Sequence, residues 1–367
     1  MDRANTLARE GRTIFHLETG QPGTRAPRRA LEAVARALEC DVLGYTEALG
    51  RPALRRRISQ FYLDTYRVDV APERILITTG SSAGFLLAYI ALFDAGQSLA
   101  MAVPGYPAYR NIAVATGVRP HFIDCREKSQ FRLSAADIAR ADGISGALIA
   151  SPANPSGTVI GPAELKEIVD VCAKRKLWLI SDEIYHGITY EGRAQTALAI
   201  SPDVVVINSF SKYFSMTGWR IGWMVVPEAL VRPIERLAQN LYISPPTISQ
   251  VAALAALDAG EELDGHVRAY AENRSLLLSA LKDAKFGTVA PADGAFYLYA
   301  DVSPFGLDSS VFTTSLLDET GVAATPGLDF DPVEGNRWVR FSYAGAHSEI
   351  AAAADALHHW CRKLSRA

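Results

Sequence analysis

From about residue 72 onward, short runs rich in β-branched and apolar residues alternate with longer stretches whose apolar residues recur at helical spacing. This alternation constrains the fold strongly, because strands separated by helices pair in parallel and are covered by helices on both faces. The runs that we interpret as strands are residues 75–78, 98–103, 118–123, 146–150, 177–181, 204–208 and 221–226. The sequence therefore predicts an α/β domain built around a mostly parallel sheet.

The pattern changes after Pro245 and Pro246. Two long helical stretches follow, at 248–257 and 263–281, then strands near Phe286, Phe296 and Val339 and a last helix from His347 to about Leu364. We interpret this part as a smaller α+β domain. The predicted division is a large domain at 46–245, with 1–45 and 246–367 forming an N-terminal segment and the small domain. Residues before about Tyr45 are too few to fold alone, so we expect them to pack on the small domain or on a neighbouring subunit.

The composition argues against nucleic-acid and membrane partners. The 367-residue chain has a formal net charge of -3, and no run of like charges forms a tail. The four cysteines stand far apart, so neither a disulfide framework nor a metal site is expected. The first 12 residues lack the apolar core of a signal peptide, and the apolar stretch at 85–93 is too short to span a bilayer. We expect a cytoplasmic protein whose partners are small molecules.

Polar residues directly follow three of the predicted strands. Asn154 lies in Ser-Pro-Ala-Asn-Pro-Ser-Gly, Asp182 and Tyr185 lie in Ser-Asp-Glu-Ile-Tyr, and Lys212 ends Asn-Ser-Phe-Ser-Lys. Ligands of open α/β sheets bind beyond the carboxyl ends of the strands. We therefore expect these four side chains to share one site.

These residue types suit a pyridine cofactor that carries a carbonyl group. Lys212 attacks a carbonyl only as the neutral amine, which burial and the nearby cation Arg220 favour by lowering its pKa. Asp182 can keep a ring nitrogen protonated, so that the ring accepts electrons. Asn154 and Tyr185 can donate to the phenolic oxygen of the ring.

A further group of residues could bind a phosphate. A guanidinium offers a forked pair of donors, and the N-terminus of a helix offers free backbone N–H groups. A strand joins a helix at the turn that begins with Gly80. The residues of this group are Gly80, Ser81, Ser82, Ser209, Ser211 and Arg220.

These motifs, together with Gly-Trp-Arg-Ile-Gly, resemble those of the class I/II aminotransferases, which belong to the fold type I pyridoxal phosphate enzymes. The resemblance covers nearly the whole chain. It implies that pyridoxal 5'-phosphate is the cofactor and that an amino group moves from an L-amino acid to a 2-oxo acid by a ping-pong mechanism. Lys212 is then similar to the Schiff-base lysine, Asp182 to the pyridinium partner, and Asn154 and Tyr185 to the ring-oxygen donors.

The resemblance implies further roles. Ser209, Arg220 and the turn at 80–82 resemble the phosphate cup, and Tyr106 matches the aromatic residue that stacks on the cofactor ring. Tyr45 is similar to a tyrosine that reaches the phosphate of the other subunit, which implies a homodimer. Arg340, a cation in an apolar strand, resembles the residue that binds the substrate α-carboxylate. Gly20 matches a glycine that lets this carboxylate come close.

Three alternatives remain open at this point. The same cofactor frame also supports β-elimination, so a lyase of the C–S lyase type is an alternative. The run Gly80-Ser81-Ser82-Ala83-Gly84 fits the G-x-S-x-G pattern, so Ser82 with His266 or His347 could form a serine hydrolase site. A non-catalytic regulator would need a basic helix-turn-helix segment, which we do not find before residue 14.

Some positions depart from the family pattern or have no assigned role. Two serines follow Gly80 where glutamine, glutamate or alanine is common, and Phe330-Asp331 stands where a Phe-Gly pair is usual. These changes bear on the phosphate loop and on the edge of the substrate pocket. Three aromatic residues could line the pocket or pack in the core: Tyr109, Tyr242 and Phe296.

Overall fold

The computed structural model describes residues 1–126 and 129–364. The strands of this part of the chain are β1 (Phe15–His16), β2 (Ile75–Thr78), β3 (Ser98–Val103), β4 (Arg119–Asp124), β5 (Gly146–Ala150), β6 (Trp178–Asp182), β7 (Val205–Ser209), β8 (Gly222–Val225), β9 (Tyr297–Asp301), β10 (Val322–Ala323), β11 (Thr325–Pro326) and β12 (Trp338–Ser342). The helices are α1 (Asp2–Arg9), α2 (Arg28–Cys40), α3 (Pro52–Tyr66), α4 (Ser81–Leu92), α5 (Pro107–Ala115), α6 (Ala135–Arg140), α7 (Pro162–Arg175), α8 (Glu228–Tyr242), α9 (Thr247–Ala256), α10 (Gly260–Asp283), α11 (Ser309–Thr320) and α12 (His347–Leu364).

Within the described residues, seven strands form a central sheet in the order β2-β8-β7-β6-β5-β3-β4. All pairs are parallel except those of β8, which is antiparallel to β2 and β7. Residues 210–221 join β7 to β8 with only a short 3-10 turn, so the chain turns back instead of crossing over. The predicted α/β fold is confirmed, and each of the seven predicted strands lies within one residue of its predicted bounds.

Alternate residues of the strands face two different hydrophobic clusters. Ile75 and Ile77 pack in one cluster with residues of α3, α7 and α9, whereas Leu76 packs in the other with residues of α4, α5 and α8. Since both faces of the sheet are covered by helices, its strands are apolar at nearly every position. This explains the continuous apolar runs in the sequence.

A smaller antiparallel sheet, in the order β11-β12-β9, packs with α10, α11 and α12. The predicted helix from His347 to Leu364 is present as α12. The strand predicted near Phe286 is wrong, because residues 284–296 form only two isolated bridges, between Val289 and Ala300 and between Gly294 and Thr189. Lys285, directly before Phe286, has a φ angle of 65°, and Ala292 and Ala295 have φ angles of 53° and 56°, all of which interrupt an extended chain.

The N-terminal segment contacts both parts of the molecule. Arg3 forms a forked pair of hydrogen bonds with Asp318 of α11, and β1 pairs in parallel with β10. Helix α2 packs on α9, and both contribute to the cluster that also contains residues of the central sheet. Helix α9 follows residue 245 in the chain but packs in the same hydrophobic cluster as the central sheet. The division of the chain into two domains at residue 245 stays a prediction.

Candidate active site

A cavity of about 230 Å³ lies where β5, β6 and β7 end. The carboxyl ends of these parallel strands meet at one edge of the sheet, so the polar residues that follow them converge there. Most of the residues proposed from the sequence line this cavity. Its lining consists of Gly20, Ser81, Ser82, Tyr106, Tyr109, Asn154, Ile184, Tyr185, Ser211, Lys212, Thr217, Arg220, Tyr297 and Arg340.

The amine of Lys212 donates a hydrogen bond of 2.5 Å to the carbonyl oxygen of Gly20. Burial, together with the positive charges of Arg340 and Arg220, lowers the pKa of the Lys212 amine to about 8, and Asp182 acts in the opposite direction. A substantial fraction of the amine is therefore neutral at physiological pH. A neutral amine can act as a nucleophile toward a carbonyl or as a base.

Asp182 is the last residue of β6 and is buried. Its Oδ2 accepts a hydrogen bond from the hydroxyl of Tyr109, and its Oδ1 accepts one of 3.1 Å from the backbone N–H of Ile184. Burial raises the pKa of Asp182 to about 6, although both hydrogen bonds and the charge of Lys212 favour ionisation. Asp182 itself does not line the cavity, but both of its donors do.

One side of the cavity is rich in hydrogen-bond donors. Helix α4 begins here after Gly80, whose φ of 81° suits glycine, and a Cβ at Gly80 would overlap the guanidinium of Arg220. Ser81 and Ser82 occupy the first turn, where backbone N–H groups have no partner within the helix. Arg220 also donates 2.9 Å to the carbonyl oxygen of Thr217. This side suits a phosphate.

The two serines beside Lys212 occupy different places. The hydroxyl of Ser211 lines the cavity, whereas Ser209 is buried and its hydroxyl lies 2.8 Å from that of Ser211. The backbone N–H of Ser211 donates 3.1 Å to the Ser209 hydroxyl. Ser209 thus contacts the cavity through Ser211.

Arg340 is 6% exposed and lies between two aromatic rings, 4.3 Å from the centroid of Tyr297 and 4.7 Å from that of Phe330. It donates 3.0 Å to Oδ1 of Asn154 and 2.7 Å to the carbonyl oxygen of Glu18. Within the described residues it pairs with no carboxylate. A buried guanidinium without a counter-charge is suited to bind an anionic ligand.

Tyr297 and Gly20 complete this side of the cavity. The hydroxyl of Tyr297 lies 2.7 Å from that of Tyr185, and a Cβ at Gly20 would overlap it. Sequence reasoning named Phe296 instead of Tyr297, but Phe296 packs behind the site, 5.5 Å from the Tyr185 ring. The register between β9 and β12 shows why Tyr297, and not Phe296, faces the cavity. Tyr297 is paired with Ser342, so Tyr297 is a diagonal neighbour of Arg340 on the same face.

Three of the residues considered from the sequence lie elsewhere. Tyr45 is 84% exposed and does not line this cavity, and Tyr242 does not line it either. Asp331, which departs from the family pattern, is buried and accepts hydrogen bonds of 2.7 and 3.1 Å from Arg126. This ion pair anchors the loop that carries Phe330.

The hydrolase alternative finds no support in the geometry. The Nδ1 atom of His266 lies 3.4 Å from the hydroxyl of Ser215, and that of His347 lies 2.8 Å from Oδ1 of Asn273. Neither histidine lines the cavity that contains Ser82. Neither of the two histidines can therefore serve as the base for Ser82.

Fold and cavity together define a class of enzyme: fold type I, with a partly buried lysine, a buried aspartate and a donor-rich helix terminus at the edge of the sheet. The chain belongs to the class I and II aminotransferases, because the model of that family matches residues 12–357. The family of fold type I aminotransferases uses pyridoxal phosphate. Its substrates are amino acids and 2-oxo acids.

Individual relatives support the assignment. A valine–pyruvate aminotransferase of Mycobacterium tuberculosis is 47% identical over 95% of this chain and 91% of its own length. The crystal structure of an aminotransferase from Mycobacterium tuberculosis superposes with a TM-score of 0.96 at 46% identity, covering 98% of this chain and 95% of its own. A double mutant of the Thermus thermophilus aspartate aminotransferase reaches a TM-score of 0.91 at 28% identity, covering 98% of this chain and 94% of its own. These relatives are aminotransferases, so the lyase alternative is not favoured.

In the part of the chain that the structure describes, no helix combines the length and apolar character needed to cross a bilayer.

Proposed function

We propose that this aminotransferase carries pyridoxal 5'-phosphate covalently on Lys212. Asp182 holds the ring nitrogen, Asn154 and Tyr185 contact the ring oxygen, and Tyr106 packs on the ring face. The phosphate lies against Ser81, Ser82, Ser211 and Arg220, with Gly80 leaving room for the guanidinium and Ser209 orienting Ser211. The observation that carries this proposal is the convergence of Lys212, the donors of Asp182 and the α4 terminus on one cavity.

Each of the residues at the site has a separate role in the proposed reaction. Bound pyridoxal phosphate supplies an electron sink for the bond broken at the substrate Cα. Arg340 and Asn154 bind the α-carboxylate, and Gly20 leaves room beside it. The amine of Lys212, set free when the substrate amine takes its place, would take the Cα proton as a general base in its neutral form and deliver it as a general acid. Asp182 stays ionised beside the ring nitrogen and so keeps that nitrogen protonated.

Substitution of Lys212 by alanine tests this assignment. Lys212→Ala removes both the covalent attachment and the base, so we expect loss of the near-visible absorbance of the holoenzyme and at least about a thousandfold loss of turnover. Lys174→Ala, at an exposed lysine of α7, is the control and should change neither. Retention of both absorbance and turnover in Lys212→Ala would refute the proposal.

We further propose that the amino donor has a neutral, apolar side chain and that pyruvate is an acceptor. Among the described residues that line the cavity, the cations are Lys212, Arg220 and Arg340. The proposed function uses all three, which leaves no cation of this chain for a side-chain carboxylate. Ile184 adds an apolar surface, and the relative at 47% identity is a valine–pyruvate aminotransferase.

Initial rates with valine and aspartate as donors, each against pyruvate and 2-oxoglutarate, test this specificity. We expect kcat/KM for valine to exceed that for aspartate by about a hundredfold, since an unpaired buried carboxylate is costly. The products should be identified by mass. Equal or greater efficiency with aspartate would contradict the proposal.

The active unit is proposed to be a cytoplasmic homodimer in which Tyr45 reaches the partner's phosphate site. Apolar side chains are exposed on two neighbouring segments, with Val42 98% and Ile243 53% exposed. Hydrogen bonds from Thr46 to Ser244 and from Thr247 to Gly44 join the two segments into one patch. A large exposed apolar patch favours association with a second copy.

A further inference from the structure

Tyr109 contacts the carboxylate that the proposed function places beside the cofactor ring. It lies in α5 and is 5% exposed, and its hydroxyl donates to Oδ2 of Asp182. The other carboxylate oxygen, Oδ1, accepts from the backbone N–H of Ile184. Because each oxygen has a separate donor, the plane of the carboxylate is fixed from two sides.

The ring of Tyr109 is itself held by aromatic neighbours. Phe85 packs edge-on at 5.1 Å between centroids, and Tyr106 packs edge-on at 5.4 Å. Burial, together with the negative charge of Asp182, raises the pKa of Tyr109 well above its ordinary value. The hydroxyl therefore keeps its proton and acts as a donor toward Asp182.

We propose that Tyr109 is a positioning residue, whose hydrogen bond keeps Asp182 ionised and oriented toward the ring nitrogen of pyridoxal phosphate. The inference rests on the proposed function. It assigns to Tyr109 a specific task that packing alone does not require, since a phenylalanine would fill the same space.

The physical reason is the cost of a buried carboxylate. Asp182 is 2% exposed, so its ionised form loses most of its hydration. A charge-assisted hydrogen bond offsets part of this loss. Without the Tyr109 hydroxyl, the pKa of Asp182 would be higher. The proton between Asp182 and the ring nitrogen would then shift toward Asp182. The ring nitrogen then loses its ionic partner, and the cofactor is bound less tightly.

Equilibrium binding of two cofactors to apoenzyme tests the inference. The first is pyridoxal phosphate, and the second is its 1-deaza analogue, in which carbon replaces the ring nitrogen. For Tyr109→Phe we expect about a tenfold weaker Kd for pyridoxal phosphate, the loss expected for one hydrogen bond to a charged group. The Kd for the analogue should stay within about twofold of wild type, because the analogue has no nitrogen for Asp182 to bind.

Tyr89→Phe is a matched control. Tyr89 is also fully buried in the same cluster, and its hydroxyl has no hydrogen-bond partner among the described residues. This variant removes the same atom without touching Asp182, so both dissociation constants should remain those of wild type. A circular dichroism melt of each variant shows whether the fold is retained.

The outcomes separate this inference from the proposed function. Unchanged binding of pyridoxal phosphate by Tyr109→Phe overturns the inference alone, and so does equal weakening for both cofactors, which indicates packing. If Tyr109→Phe fails to fold, the comparison passes to Asp182→Asn, which must lose affinity for pyridoxal phosphate but not for the analogue. Failure of the wild-type protein to bind pyridoxal phosphate overturns the proposed function and this inference together.

Discussion

At the scale of single residues, the chemistry depends on charges that act on one another across a small cavity. The Lys212 amine is surrounded by two guanidinium groups and by a buried carboxylate, and its pKa reflects all three in addition to burial. Arg340 thereby has two effects, because in the proposed function it binds an anion, and its charge also lowers the pKa of Lys212. Substitution of Arg340 should therefore change the pKa of Lys212, although Lys212 itself is unaltered.

The pH dependence of cofactor uptake tests this coupling. The pKa of Lys212 is lowered to about 8, so the neutral fraction, and with it the rate of reaction with pyridoxal phosphate, should rise as pH increases through that value. Arg340→Gln removes a positive charge, which raises this pKa and moves the midpoint to higher pH. At pH 7.5 uptake should be roughly threefold slower.

Stopped-flow absorbance measures this uptake by the apoenzyme across pH 6–10. Arg232→Gln, on the exposed face of α8, is the control and should leave the midpoint in place. A midpoint that does not move in Arg340→Gln would show that the charge of Arg340 does not lower the pKa of Lys212.

Residue types were predictable from the sequence, but their partners were not. The lysine, the aspartate and the asparagine could be proposed as site residues because each lies just after a predicted strand, within a recognisable motif. The hydrogen bonds from Tyr109 to Asp182 and from Arg340 to Asn154 join residues 73 and 186 positions apart. Only the folded arrangement of the strands brings these pairs together.

At the scale of elements, sequence reasoning succeeded where the local pattern determines the structure. Seven apolar runs bounded by turn residues became strands, since a strand buried on both faces has few alternatives. The antiparallel direction of β8 was not predicted, because it depends on how residues 210–221 turn back. The strand expected near Phe286 failed because a positive φ angle at Lys285, directly before Phe286, and others at Ala292 and Ala295 interrupt the extended chain.

The loop between β11 and β12 is an element whose role is testable. Asp331 forms the forked ion pair with Arg126 and accepts from the backbone N–H groups of Val333 and Glu334. Asp331→Asn removes the buried negative charge of this pair, while Asp124 and Glu334 still lie 2.9 and 3.5 Å from Arg126. We therefore expect the free energy of unfolding to fall by about 1–2 kcal/mol. Because the loop also holds Phe330 over Arg340, KM for the amino donor should rise several-fold.

Urea unfolding and steady-state kinetics measure both effects. Asp329→Asn, an exposed position of the same loop whose backbone carbonyl accepts from Arg110, should change neither quantity. Loss of stability without a change in KM would show that the loop does not affect substrate binding at Arg340.

At the scale of the whole molecule, the homodimer proposed above would bring Tyr45 of one subunit to the active site of the other. Tyr45 lies in the exposed patch that contains Val42 and is absent from the cavity of its own chain. The modest net charge of the chain, which argued for small-molecule partners, contains no information on where such a patch lies. Its position follows from the packing of α2 on α9.

Substitution of the most exposed residue in this patch tests the dimer. Val42→Glu places a charge in the proposed interface, so we expect the mass measured by analytical ultracentrifugation to halve at micromolar concentration. Affinity for pyridoxal phosphate should fall with it, because Tyr45 leaves the partner's site. Val114→Glu, at a 67% exposed position of α5, is the control and should remain dimeric. A monomeric Val42→Glu with full cofactor affinity would contradict the role of Tyr45.

Every proposed role of the active-site residues depends on the covalent attachment of pyridoxal phosphate to one lysine. Reduction of the purified holoenzyme with sodium borohydride, followed by peptide mass spectrometry, tests it directly. We predict one phosphopyridoxyl group per chain, on the peptide that contains Lys212, and none in Lys212→Ala. A group found on another lysine of the native enzyme, or no modification after incubation with pyridoxal phosphate, would contradict the account.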